Sequence, residues 1–121
     1  MVVRIVLAED NDTVRHLLKS LLEAQLGWNV VAEVRDGRSA IETTRELNPD
    51  IVILDFDLPG LNGIDATREI VKELPDMRIL VLTVHDSEWL VRLALSAGAR
   101  CCLLKSEVTR RLMPVVESMI A

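Results

Sequence analysis

Apolar residues in this chain alternate between two rhythms: short unbroken runs, and longer stretches in which they recur every three or four residues. The runs are Arg4-Ile-Val-Leu-Ala8, Val30 to Val34, Ile51-Val-Ile-Leu54, Arg78-Ile-Leu-Val-Leu82 and Cys101-Cys-Leu-Leu104. Runs of four or five Val, Ile and Leu without alternation predict strands covered on both faces, as in a parallel sheet. Four of them end in a chemically useful residue: Glu9-Asp10, Asp55, Thr83 and Lys105.

The spaced stretches predict helices. Val14, Leu17, Leu18, Leu21, Leu22 and Gln25 follow i, i+3, i+4 spacing, with Asn11 or Asp12 as cap and Gly27 as the stop. Asp36-Gly37 turns the chain into a second helix marked by Ala40, Ile41, Thr44 and Leu47, which ends before Pro49. Asn62-Gly63 opens a third, with Ile64, Thr67, Ile70, Val71 and Leu74 inward. Asp86 or Ser87 caps a fourth on Leu90, Ala94 and Ala97, closed by Gly98. The fifth runs from about Thr109 to Ile120 and carries Pro114, which removes one backbone bond and predicts a kink.

Five strands alternating with five helices, without linker or repeat, predict a single α/β domain over residues 1–121. The expected form is a doubly wound, flavodoxin-like five-stranded parallel sheet of order 2-1-3-4-5. Ligands of such sheets bind beyond the carboxyl ends of the strands, where the strand order reverses. That crevice lies between the first and third strands, so Glu9-Asp10 and Asp55 should meet there.

Charge and composition narrow the function. The formal net charge is -5 and no Lys/Arg run stands out, which argues against nucleic-acid binding by this chain itself. No apolar stretch approaches the ~20 residues of a membrane span, and no signal-peptide pattern precedes the first strand. Cys101 and Cys102 are neighbours on one strand, point to opposite faces and are read as buried thiols of the reducing cytoplasm. With no His nearby they make no zinc site.

Three carboxylates in one crevice repel, so either one holds a proton or a cation sits among them. A hard divalent ion such as Mg2+ suits oxygen ligands and accepts phosphate oxygens as well. Acids, a cation, a hydroxyl and a lysine together point to phosphoryl transfer, which is largely positioning and charge neutralisation. Asp55 is the candidate nucleophile, projecting from the central strand. Glu9 and Asp10 would hold the metal, while Thr83 and Lys105 would meet phosphoryl oxygens.

The ordered set of Glu9-Asp10, Asp55-Phe-Asp-Leu-Pro-Gly60 with Asn62-Gly63, Thr83 and Lys105 resembles the receiver domain of bacterial two-component response regulators over essentially the whole chain. Leu95-Ser-Ala-Gly-Ala99 followed by Leu103-Leu-Lys105 is most similar to receivers attached to LuxR-type helix-turn-helix domains. The resemblance implies phosphorylation of Asp55 by a sensor histidine kinase or a small acyl phosphate. It also implies Mg2+ bound by Asp10, Asp55 and the backbone carbonyl of Asp57, with Glu9 helping through water. Switching would pass through Thr83 to the fourth helix, fifth strand and fifth helix and control an output, expected to be transcription. A homodimer through helices four and five, or one and five, is compatible with this picture. DNA would be reached only through an attached domain that this chain lacks.

The sequence departs from the family at several points. Cys102 stands where an inward-swinging Tyr or Phe is usual, Val84 is bulkier than the usual small residue, and Ser106 replaces a common proline. Asp57 is acidic close to the phosphoryl position and is expected to alter hydrolysis. Trp89 is a candidate partner anchor or a rim-packing residue, His85 a rim histidine and His16 a solvated one. Two rivals use the same residues: a phosphorylation-independent module of receiver fold, and a haloacid-dehalogenase-type phosphatase built on Asp55-Phe-Asp57.

Overall fold

The computed structural model describes residues 2–121. Five strands, β1 (Val3–Ala8), β2 (Trp28–Val34), β3 (Ile51–Asp55), β4 (Arg78–Thr83) and β5 (Cys101–Leu104), pair in parallel in the order β2-β1-β3-β4-β5. Five helices connect and follow them: α1 (Asp12–Glu23), α2 (Gly37–Leu47), α3 (Gly63–Glu73), α4 (Glu88–Ala97) and α5 (Val108–Ile120). This is the doubly wound order expected from the alternation, with the switch point between β1 and β3.

The unbroken runs are apolar on both faces because both are covered. Val6, Ala8, Val52, Leu54, Ile79 and Val81 join one core with Ile64, Ile70, Leu90 and Ala94 of α3 and α4 and Ala40 of α2. The residues between them, Ile5, Leu7, Ile51, Ile53, Leu80 and Leu82, join the other with Leu18, Leu22, Leu112 and Val116 of α1 and α5. The period of two along each strand thus feeds two cores at once. Truncating a fully buried member such as Ile53 to Ala should cost about 2–5 kcal/mol.

Side-chain caps sit at the strand-to-helix turns that face the site. Asn11 Oδ1 accepts from the Val14 N–H (2.9 Å) and Asp36 Oδ1 from the Ser39 N–H (2.8 Å). Asn62 Oδ1 accepts from both Ile64 and Asp65, each at 2.9 Å, and Ser87 Oγ from Leu90 (3.3 Å). Each cap satisfies backbone donors that the first helical turn leaves free. Gly63 allows α3 to begin directly against β3: a Cβ there would lie 2.3 Å from the Asp55 carbonyl oxygen.

Several expected boundaries shift. β1 begins at Val3 and β2 at Trp28 rather than Arg4 and Val30, and Trp28 is buried at the foot of the second core. Helix α1 ends at Glu23, so Gly27 does not stop it; Gly27, at φ 85°, instead feeds the turn into β2. Leu17 and Gln25 leave the inner face and are exposed. Asp36-Gly37 is not a free turn but the cap and first residue of α2. β5 is an edge strand, so of its four residues only Leu103 is buried, and Cys101 and Cys102 are half-buried rather than buried thiols. A 3-10 turn, Lys105–Glu107, links β5 to α5, which starts at Val108 and runs continuously through Pro114. There is no cis peptide among the described residues. No described helix is long and apolar enough to cross a membrane.

Candidate functional site

Four strand ends converge at one edge of the sheet. Glu9 follows β1, Asp55 closes β3, Thr83 closes β4 and Lys105 follows β5. Glu9, Asp55 and Thr83 are almost completely buried. Lys105 Nζ lies 2.7 Å from Glu9 Oε1 and 2.9 Å from Asp55 Oδ2. One oxygen from each of Glu9, Asp10 and Asp55 falls within a 4.8 Å cluster. Two of the three acids share one ammonium, and Asp10 has no ion pair of its own.

This imbalance shows in the titration of the group. Burial raises the Glu9 pKa above its ordinary 4.5, outweighing the pull of Lys105 and of the Asn11 N–H, while the Asp55 charge adds to the rise. Burial works against the Lys105 ammonium too, yet its bonds to Glu9 and Asp55 outweigh that and hold its pKa above 10.5. Lys105 is thus firmly cationic, and burial holds the Glu9 carboxyl back from ionising.

One oxygen is left wanting. Asp55 Oδ1 is buried without any hydrogen-bond donor, whereas Glu9 Oε1 has the Lys105 ammonium at 2.7 Å. Buried acceptors are normally satisfied. Surplus negative charge and an orphaned carboxylate oxygen are what a hard, oxygen-ligated cation would relieve, so the residues present fit Mg2+.

The family model for the response regulator receiver domain matches residues 5–117. The chain belongs to the response regulator receiver domain family. Among curated relatives, the transcriptional regulatory protein DegU of Brevibacillus brevis is 37% identical over 103 residues, covering 85% of this chain and 44% of DegU. The chemotaxis protein CheY of Thermotoga maritima is 36% identical, with 84% of each chain covered. A LuxR-family two-component response regulator from Aurantimonas sp. SI85-9A1 superposes with a TM-score of 0.95 at 37% identity, covering 99% of this chain and 86% of that one. The chain spans about half the length of several of these curated relatives, DegU included. The similarity to LuxR-type receivers read from the sequence agrees with them.

The receiver's rim carries features its sequence did not reveal. The Asp57 carboxylate lies outside the acidic cluster and faces His85, Nε2 to Oδ2 3.5 Å, across the mouth of the site. The His85 ring meets Phe56 edge-on, and the His85 backbone N–H donates to Thr83 Oγ1 (3.0 Å). Behind Thr83, a cleft of about 310 Å³ opens between β5 and the start of α4, with Cys102, Val91 and Leu104 in its wall. Burial raises the Cys102 thiol pKa, so it is an unreactive wall group. Trp89 does not pack over the rim; it is 69% exposed. His16 is solvent-exposed, as expected.

Arg15 is the residue that sequence reasoning missed. It is 7% exposed and grips Glu9 O (3.0 Å), Asp12 Oδ1 (2.8 Å) and Glu33 Oε1 (3.2 Å). The i, i+3 spacing of Asp12 and Arg15 was a visible signal, but Glu33 enters only through the pairing of β2 with β1.

Proposed function

We propose that this receiver domain accepts a phosphoryl group on Asp55 from a sensor histidine kinase or a small acyl phosphate. The observation that carries the reading is the state of the Asp55 carboxylate. Oδ2 is engaged by Lys105, Oδ1 is buried and unpartnered, and the carboxylate belongs to the acidic cluster with Glu9 and Asp10. As phosphorus bonds to an Asp55 oxygen, the donor's P–N bond breaks and neutral imidazole leaves, its other nitrogen carrying the proton, or the P–O bond of an acyl phosphate breaks and a carboxylate leaves.

Receiver domains typically bind Mg2+ at an acidic pocket, and here Asp10, Asp55 and the backbone carbonyl of Asp57 would hold it, with Glu9 helping through water. When bound, the ion neutralises carboxylate and phosphate charge. Lys105 pairs with one phosphoryl oxygen, and the Thr83 hydroxyl donates to another. Gly63 lets α3 start tightly against the end of β3, so the acceptor carboxylate stays on rigid scaffold. Recruitment of Thr83 by the new charge would loosen its bond to the His85 N–H and so reset the loop before α4. The α4-β5-α5 face would then signal to an output, with DNA reached only through an attached helix-turn-helix domain; self-association on that face is the accompanying expectation. The setting that fits is the cytoplasm.

Incubation with acetyl phosphate and Mg2+, read by intact mass, tests the function. One phosphoryl adduct is expected, absent in Asp55→Asn. No adduct on the unaltered chain would favour a phosphorylation-independent interaction module instead.

A further inference from the structure

No hydrogen bond or ion pair holds the Asp10 carboxylate among the described residues, and the side chain is exposed. Its position is therefore set by the two peptide groups that flank it. The Glu9 carbonyl accepts from Arg15 Nη1 at 3.0 Å. The Asn11 N–H donates to Glu9 Oε2 at 3.1 Å. The Glu9 N–H donates to Val34 O at 3.0 Å, which ties the loop to the end of β2.

Arg15 is the one side chain that links all these parts. Its planar fork holds the β1–α1 loop through Glu9 O, the first turn of α1 through Asp12, and β2 through Glu33. Its charge is matched by Asp12 and Glu33, so it does little to neutralise the acidic crevice. What remains specific to it is the direction it imposes on the Glu9–Asp10 peptide.

We propose that Arg15 is a positioning residue for the divalent-cation site: by fixing the Glu9 carbonyl it aims the Asp10 carboxylate. The inference rests on the receiver reading above and deepens it. Second partners keep the surrounding acids paired if Arg15 is removed. Lys19 Nζ also holds Glu33 (3.2 Å), and Arg35 also holds Asp12. Arg15→Met keeps the buried stem and so orphans chiefly one acceptor, the Glu9 carbonyl. Outer partners that orient a metal ligand are typically worth 10- to 100-fold in affinity.

The test is calorimetric titration of MgCl2 into the full chain. For Arg15→Met, the Mg2+ dissociation constant should rise roughly 10-fold or more. The Mg2+ midpoint of acetyl-phosphate labelling should move by the same factor, with its plateau at saturating Mg2+ little changed. Arg35→Gln, which strips a cation from Asp12 without touching the Glu9 carbonyl, should leave the constant near that of the unaltered chain. An unchanged constant in Arg15→Met, or an equal shift in Arg35→Gln, overturns the positioning role. If Arg15→Met does not melt cooperatively, Arg15→Lys takes its place: a single ammonium cannot span three acceptors, so weaker binding is again expected, and unaltered binding overturns the proposal. If the unaltered chain takes up no Mg2+, the receiver reading itself fails, which is a separate result.

Discussion

Lys105, at the end of edge strand β5, reaches across β4 to place its ammonium 2.9 Å from the Asp55 carboxylate on β3. The same nitrogen holds Glu9 at 2.7 Å. Lys105→Met would strand two buried carboxylates together. Breaking a buried pair costs about 3–5 kcal/mol, and the 17% exposure of this side chain argues for about 3. Urea unfolding at pH 7 in EDTA should register that loss; a change of about 0.5 kcal/mol, the ordinary surface range, would contradict it.

Asp10 should behave in the opposite way. It adds a third negative charge to the cluster and has no hydrogen-bond partner of its own. Asp10→Asn should stabilise the metal-free chain, on the order of 1 kcal/mol, the repulsion of two unit charges about 4 Å apart in water. It should also abolish the rise in Tm expected from millimolar Mg2+ by mass action if the cluster binds the ion. Melting curves of both proteins with and without Mg2+ check the two halves together. A destabilised Asp10→Asn would refute the repulsion argument.

Stability should depend on pH through Glu9. Its pKa is raised on folding, so the native chain binds the proton more tightly than the unfolded chain does. The contribution is therefore complete below about pH 4.5 and is lost as pH climbs through the raised value. Metal-free protein should thus lose stability from this group as pH rises above 4.5, and Glu9→Gln should flatten that part of the profile. Lys105, also raised, keeps its contribution until the pH passes 10.5. Urea midpoints along a pH series in EDTA provide the measurement, and an unaltered slope in Glu9→Gln would rule the explanation out.

The Asp57 carboxylate stands at the mouth, paired with His85. On the proposed phosphoacceptor role, an anionic donor would meet this charge on its approach. Removing one solvated charge at close range is worth on the order of 1 kcal/mol, so Asp57→Asn should speed labelling by acetyl phosphate about fivefold at low salt. The gain should shrink as salt screens the site. Initial rates at two ionic strengths decide the matter; a salt-independent change would point to geometry rather than charge.

Pro114 is exposed in the interior of α5, where it cannot donate a backbone hydrogen bond. Pro114→Ala should stabilise the chain by up to about 3 kcal/mol. Equilibrium unfolding would show it directly.

Much of this was legible beforehand, for identifiable reasons. Ile51 to Leu54 is apolar without alternation because both faces of β3 are covered, and that pattern alone marks a central parallel strand. Glu9, Asp55, Thr83 and Lys105 were found because each is the first polar residue after, or at the end of, such a run. The end of α1 was not legible: Ala24 is still helical in conformation, and nothing local says stop until the chain turns at Gly27. The Arg15–Glu33 contact was hidden for a different reason. It depends on the register of β1 with β2, which slips between Ile5 and Val6 and leaves no trace in composition. The His85–Asp57 contact joins two loops whose approach only the finished sheet determines.

The strand order has a consequence for synthesis. β1 and β3 lie side by side, yet the chain must make β2 and α2 before β3 exists, and β4 with α4 before the lysine that completes the pocket. A nascent polypeptide halted anywhere before Lys105 therefore holds the acids without their counter-ion. The ribosome completes this pocket only near the end of translating the domain, and a fragment cut before Lys105 should keep the carboxylate repulsion that the ammonium relieves.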